Sequence, residues 1–110
     1  MIVFDASVQL REGTNLRIVP GGLRLSPNLQ FDLPGLANER FGLAVMEPEF
    51  ELVSGETGPA TFRLIGVPEF RALARDLSVG TKFTLQQGPI IVGFGTVKNV
   101  ADRSIDDSGT

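Results

Sequence analysis

Apolar and polar residues alternate along the first ten positions of the chain. The even positions from Ile2 to Leu10 are all apolar, and the residues between them include Asp5, Ser7 and Gln9. This period of two predicts a strand with one buried face. Shorter alternating runs follow, separated by Gly, Pro and Asn, at 16–19, 29–33, 40–46 and 60–67. Short, evenly spaced strands of this kind are typical of an all-β sandwich or barrel.

One segment departs from the alternation and has a helical pattern. Apolar residues recur at helical spacing between residues 70 and 77, and Pro68 suits the first position of a helix. We therefore predict one short helix near 68–77. Arg71 and Arg75 lie on its exposed side, where they are either solvated or available to an anion or an acidic partner.

The stretch FTLQQGPIIVGFGTV at 83–97 reads as two strands that turn at Gly88, and the second strand contains Gly93 and Gly95. Strand interiors usually avoid glycine, so this pair predicts a strongly curved strand that another backbone approaches closely. We expect the opposite face of that strand to pack through its large apolar side chains, which are Ile90, Val92 and Phe94.

The same hairpin resembles the closing hairpin of the third domain, a β-barrel, of elongation factor Tu and related translational GTPases. The residues that carry the similarity are Phe83, Leu85, Gly88, Val92, Gly93, Gly95 and Val97, and the first strand adds Phe4, Ala6 and Val8. The resemblance implies a small closed antiparallel β-barrel. In the family this domain helps hold transfer RNA and contacts the nucleotide-exchange factor. Gln86, Gln87 and Ile90 replace charged residues of the family pattern, which leaves Arg24 as the candidate for an RNA contact.

Taken together, the pattern and the resemblance predict one stand-alone all-β domain. We expect a closed antiparallel barrel over residues 1–100, with the short helix near 68–77, followed by a flexible polar tail over 101–110. Gly88, Gly93 and Gly95 have structural roles in this interpretation.

Composition excludes several kinds of chemistry. The chain has 110 residues, a net charge of −3 and no cysteine or histidine, which excludes disulfides, thiolate zinc sites and histidine-based catalysis. Lys82 and Lys98 are interpreted as solvated strand ends. The acidic segment at 47–51 is interpreted as the solvated face of an edge strand, with a carboxylate binding site as the alternative. We predict no catalytic residue, cofactor or metal, no membrane span, and a cytoplasmic location.

These observations favour a non-catalytic binding module that docks on a protein partner, as a monomer or a weak homo-oligomer. The candidate partner-binding residues are Arg24, Arg71 and Arg75. One alternative is a transfer-RNA-binding accessory domain, which the acidic pI near 4.8 disfavours. RNA binding would require four arginines to converge on one surface: Arg11, Arg17, Arg24 and Arg40. A second alternative is an inhibitor or immunity-type protein that neutralises a toxin or an enzyme.

Overall fold

The computed structural model describes residues 1–22, 26–42 and 44–106, which form a mostly β structure. A 3-10 turn at Pro68–Phe70 leads into the helix α1, Arg71–Asp76, which confirms the short helix predicted near 68–77. The strands within the described residues are β1 Ile2–Leu10, β2 Arg17–Ile18, β3 Asn28–Phe31, β4 Ala44–Pro48, β5 Leu52–Val53, β6 Thr57–Leu64, β7 Lys82–Gln87 and β8 Ile90–Arg103.

Six strands form one antiparallel sheet in the order β3-β7-β8-β1-β6-β4, and β2 pairs separately with β5. The sheet curls into a half-barrel, so the predicted closed barrel is wrong. Among the described residues, the segment leading into β4 pairs with β3 at one position, where Leu29 and Phe41 exchange backbone hydrogen bonds of 2.9 and 2.7 Å. In this part of the chain the two ends of the sheet, β3 and β4, are joined by no ladder beyond this bridge, so the sheet stays open.

Irregular pairing along β8 accounts for the curl. The register of β8 shifts once against β7, at Val92, and twice against β1, at Lys98 and Ala101. Each extra residue bends the strand and increases the local twist. The long strand β8 therefore bends on both sides of residues 93–96, the part that pairs with β7 and β1 at once.

A cluster of phenylalanines fills the concave side of the sheet. The Phe4 ring stacks on Phe62 at a centroid distance of 5.0 Å and meets Phe31 and Phe83 edge-on at 5.9 and 5.6 Å. All four side chains are buried. Aromatic pairs in these geometries contribute about 0.5–1.5 kcal/mol each beyond their area burial, so this cluster is the centre of the core.

Gly93 and Gly95 both face close neighbours. A Cβ atom at Gly95 would lie 2.6 Å from Cε2 of Phe83, and one at Gly93 would lie 2.9 Å from the backbone oxygen of Gln9. The glycine face of β8 therefore points toward the core. The expected packing of the opposite face is wrong, because Ile90 and Phe94 are exposed; Val92 is buried, since the bulge at that residue breaks its alternation with Phe94.

The end of β8 lies beside the first residue of the chain. The strand continues to Arg103, beyond the predicted domain boundary at residue 100. The Met1 ammonium donates a hydrogen bond of 2.9 Å to the Ser104 carbonyl, and the Asp106 N–H donates one of 2.6 Å to the Gly66 carbonyl. Residues 101–106 are thereby tied to β1 and to the segment that follows β6.

We predict that Gly95→Ala lowers the free energy of unfolding by about 1–3 kcal/mol, because the new methyl group overlaps the buried Phe83 ring. Urea unfolding measures the loss. In a Phe83→Leu background the same substitution is expected to cost less, because the atoms that it meets are gone. An equal loss in both backgrounds would contradict this explanation.

Candidate functional site

The outer face of the sheet, opposite the phenylalanine cluster, carries a groove with a volume of about 420 Å³. We call it the Phe94 groove. It draws residues from β3, β7, β8, β1 and β6. Its uncharged polar lining consists of Ser7, Gln9, Gln30, Thr57, Thr84 and Thr96. One acidic and one basic residue, Asp32 and Lys82, complete the polar lining, so the groove offers many hydrogen-bonding groups and little net charge.

The side chain of Phe94 is the exposed aromatic group of this groove, with 47% of its surface accessible. Phe94 lies opposite Gln9 on β1 and Thr84 on β7, and Thr84 lies opposite Gln30 on β3. A row of hydrogen-bonding side chains therefore crosses the sheet on both sides of the ring. Aromatic side chains in such partly desolvated positions are enriched where proteins bind partners.

A buried amide orders one side of the groove. Gln86 is 4% exposed, and its Nε2 donates hydrogen bonds of 2.7 Å to Oε1 of Gln30 and 3.0 Å to Oγ1 of Thr84. The Nε2 of Gln30 in turn donates to the Ala37 carbonyl. Because both lining side chains are held in place before any ligand arrives, binding there loses less side-chain entropy.

A second cavity of about 420 Å³ adjoins the groove on the same face, and we call it the acidic pocket. It is lined by Asp5, Glu47 and Glu49, together with Pro48, Pro59, Ala60 and Thr61. Asp5 accepts hydrogen bonds from Oγ1 of Thr61 at 2.8 Å and from Nδ2 of Asn99 at 3.4 Å. These bonds link β6, β1 and β8 across the outer face.

The predicted acidic strand at 47–51 is interrupted by a bend. β4 ends at Pro48, and Glu51 instead forms an ion pair of 2.5 Å with Arg17. Glu47 accepts a hydrogen bond of 2.8 Å from the Gly21 N–H. The three glutamates therefore do not share one strand face, and the pocket combines two of them with Asp5 from β1.

The predicted partner-binding arginines lie away from both cavities or outside the described part of the chain. Arg24 falls outside the described residues. Arg71 and Arg75 are exposed on α1. The Arg75 guanidinium donates to both carboxylate oxygens of Asp76, from Nε at 2.9 Å and from Nη2 at 3.1 Å. These hydrogen bonds hold the pKa of the Asp76 carboxyl below its usual value.

Two of the arginines considered for RNA binding contact the turn between β7 and β8. Arg11 donates to the Ile91 carbonyl at 3.3 Å, and Arg40 donates to the Gly88 carbonyl at 3.5 Å. Arg17 is paired with Glu51 instead. Of the set expected to converge, the structure therefore brings Arg11 and Arg40 to one turn and directs Arg17 elsewhere.

Other predicted features can also be located. Lys82 lines the Phe94 groove, and Lys98 is exposed at a bulge of β8. Within residues 1–22, 26–42 and 44–106, no three histidine, cysteine, aspartate or glutamate residues come together as a metal site. In the same part of the chain, no helix has the length and apolar character needed to span a membrane.

Sequence reasoning missed Phe94 and Gln86. The alternation along the strand predicts that Phe94 packs, and the family pattern identifies Gln86 only as the replacement of a charged residue. A signal for Phe94 was present, because the residues opposite it in the sheet, Gln9 and Thr84, are polar. This signal can be recognised only when the pairing register of β8 is known, and that register shifts at the bulge.

We predict that Arg75→Gln raises the pKa of Asp76, because the carboxylate loses its charged hydrogen-bond donor. In the native protein the lowered pKa stabilises the fold above the ordinary pKa of aspartate, and this contribution is lost as the pH falls through the lowered value. An NMR titration of the Asp76 carboxyl measures the change. Arg63→Gln on β6 is the control and should leave this pKa unchanged; a response to both variants would contradict the assignment.

Comparison with protein-family models gives no match for this chain. Comparison with curated proteins gives no similar sequence. The similarity to the elongation factor Tu domain therefore rests on the sequence residues named above. What the protein does is inferred from the geometry of the Phe94 groove and the acidic pocket.

Proposed function

We propose that this chain is a non-catalytic binding module that docks on a protein partner through the Phe94 groove. The observation that supports the proposal best is the exposed ring of Phe94, set among uncharged hydrogen-bonding side chains on the outer face of the sheet. Aromatic anchors surrounded by polar groups are typical of the energetically important centres of protein interfaces. The ordered Gln86 network adds a lining that is formed in advance.

The charge distribution favours a protein over a nucleic acid. The chain carries a net charge of −3. The groove is lined by one acidic and one basic residue, Asp32 and Lys82, and the acidic pocket lies beside the groove. A nucleic-acid backbone needs neutralising lysines and arginines, so this face would repel it. The alternative of transfer-RNA binding depends on Arg11 and Arg40, which lie at the β7–β8 turn and not in the groove.

We further propose that the sheet is of the translation-factor type. The residues that carry the similarity occupy distinct positions in the structure: Gly88 has a positive φ of 58° at the hairpin turn, and Gly93 and Gly95 approach close neighbours. Gln86, which replaces a charged residue of that family, is buried and orders the groove. A change from a charged to a buried neutral side chain supports docking on a protein in place of RNA.

Two kinds of protein partner are compatible with this proposal. A translation component, or an enzyme or toxin that is held inactive, would each use the same surface. Because Phe94 is the proposed anchor in both cases, one substitution tests docking whichever partner is bound.

We predict that Phe94→Ala abolishes capture of the partner from a lysate of the source organism. Loss of an interface anchor costs about 2 kcal/mol or more, equivalent to roughly thirtyfold weaker binding. Phe50→Ala is the matched control, because Phe50 is also exposed but does not line the groove. It should capture the same protein as the native chain.

Two outcomes would contradict the proposal. One is undiminished capture by Phe94→Ala, with urea unfolding showing that the variant is folded. The other is capture that nuclease removes and that requires Arg11 and Arg40, which would instead indicate RNA binding at the hairpin turn.

A further inference from the structure

We propose that the Phe94 groove and the acidic pocket together bind a proline-rich segment of the partner, in which a basic residue lies three positions from the proline that stacks on Phe94. This inference rests on the proposed function, and it specifies the chemistry of the partner. It follows from three features of the outer face: the two cavities are neighbours, their spacing fits a polyproline helix with a long basic side chain, and their charges differ.

The cavities lie side by side along β1, where Ser7 of the groove is paired with Pro59 of the pocket. Gln9, Ser7 and Asp5 alternate on its outer face, with Gln9 and Ser7 in the groove and Asp5 in the acidic pocket. On the neighbouring strand β6, Thr57 lines the groove, and Pro59 and Thr61 line the pocket. One extended segment lying along these two strands would therefore contact both cavities.

The spacing of the two cavities fits a polyproline II segment. Phe94 lies opposite Gln9, and Asp5 is four residues from Gln9 along the same strand. A strand rises about 3.3 Å per residue, so the two positions are about 13 Å apart. A polyproline II helix has three residues per turn and rises about 3.1 Å per residue, so residues three apart lie on the same side and about 9 Å from each other. The long side chain of a basic residue three positions from the stacked proline covers the remaining distance of about 4 Å to Asp5.

Strand pairing is not available to a ligand at this position. β1 is paired with β6 on one side and with β8 on the other, and the part of β8 that lines the groove is also paired with β7. A segment on the face must therefore bind through side chains. A polyproline II segment has no internal hydrogen bonds, so its carbonyl groups remain free to accept from the amide of Gln9 or a threonine hydroxyl, while a proline ring packs on the aromatic side chain.

The acidic pocket supplies the charge complementarity. Among the residues that the structure describes, its lining includes Asp5, Glu47 and Glu49 and no lysine or arginine. A carboxylate oxygen has more than one acceptor site, so Asp5 can receive a further donor beside Thr61 and Asn99. The charged neighbours on this face are Arg63, two residues beyond Thr61 on β6, and Lys82, which lines the groove together with Asp32. A basic side chain in the pocket would therefore fix the direction of the bound segment.

The test uses the full chain, labelled with ¹⁵N, and a capped heptapeptide of one arginine followed by six prolines. We expect the arginine peptide to shift the amide signals of Phe94, Thr84, Asp5 and Thr61. A matched peptide that begins with glutamate should bind about threefold more weakly or worse, because the rim charge is reversed. A third peptide, with alternating glycine and serine after the arginine, should lose binding because it lacks the preformed helix.

Variants separate the two contacts. Phe94→Ala should abolish the shifts caused by the arginine peptide. Glu49→Gln should weaken the arginine peptide and leave the glutamate peptide unchanged or slightly stronger. Glu69→Gln, at an exposed acidic residue beside α1, is the matched control and should change neither.

The inference is overturned if the arginine and glutamate peptides bind equally, if the shifts lie away from both cavities, or if no shift occurs. It is also overturned if xylohexaose or a ten-nucleotide oligouridylate perturbs the groove signals more strongly than the arginine peptide. Capture of a partner that still depends on Phe94 in any of these cases would leave the proposed function intact. Capture that does not depend on Phe94 would refute the proposed function itself.

Discussion

The packing of the Phe83 ring against Gly95 is the contact on which the rest of the structure depends. The ring occupies space that a side chain at position 95 would need, and it also meets Phe4 and Phe62 edge-on. β7 and β8 are thereby joined to the centre of the core through one side chain. Because residues alternate along a strand, the inward direction of Gly95 sends Phe94 and Thr96 to the outer face. The same contact therefore holds the core and exposes the proposed anchor.

The two faces of the sheet consequently have different functions. The concave face buries the phenylalanine cluster and provides stability, while the outer face carries hydrogen-bonding side chains around Phe94 and three carboxylates in the acidic pocket. Gln86 is buried and holds two lining residues of the groove, Gln30 and Thr84. A substitution at Gln86 would therefore affect the site without touching a ligand directly.

The order of the outer face also depends on contacts between distant parts of the chain. Asp5 joins Thr61 and Asn99 across three strands, and the ion pair of Glu51 with Arg17 lies at β2 and β5, separate from the main sheet. The bend after Pro48 separates Glu51 from the other glutamates of its segment. The acidic stretch of the sequence therefore contributes only Glu47 and Glu49 to the pocket beside the groove, and β1 contributes Asp5.

The sequence by itself determined the elements whose signals are local. The alternation from Ile2 to Leu10, the helical spacing after Pro68 and the turn at Gly88 each depend on neighbouring residues, and all three are present in the structure. Only the tertiary structure decided that the sheet stays open and that Phe94 faces outward. The direction of Phe94 depends on strand register, which a bulge at Val92 changes, and the open sheet depends on how far β3 pairs with the segment leading into β4. Periodicity along one strand contains no information about either, because register is set by contacts between strands that are distant in the chain.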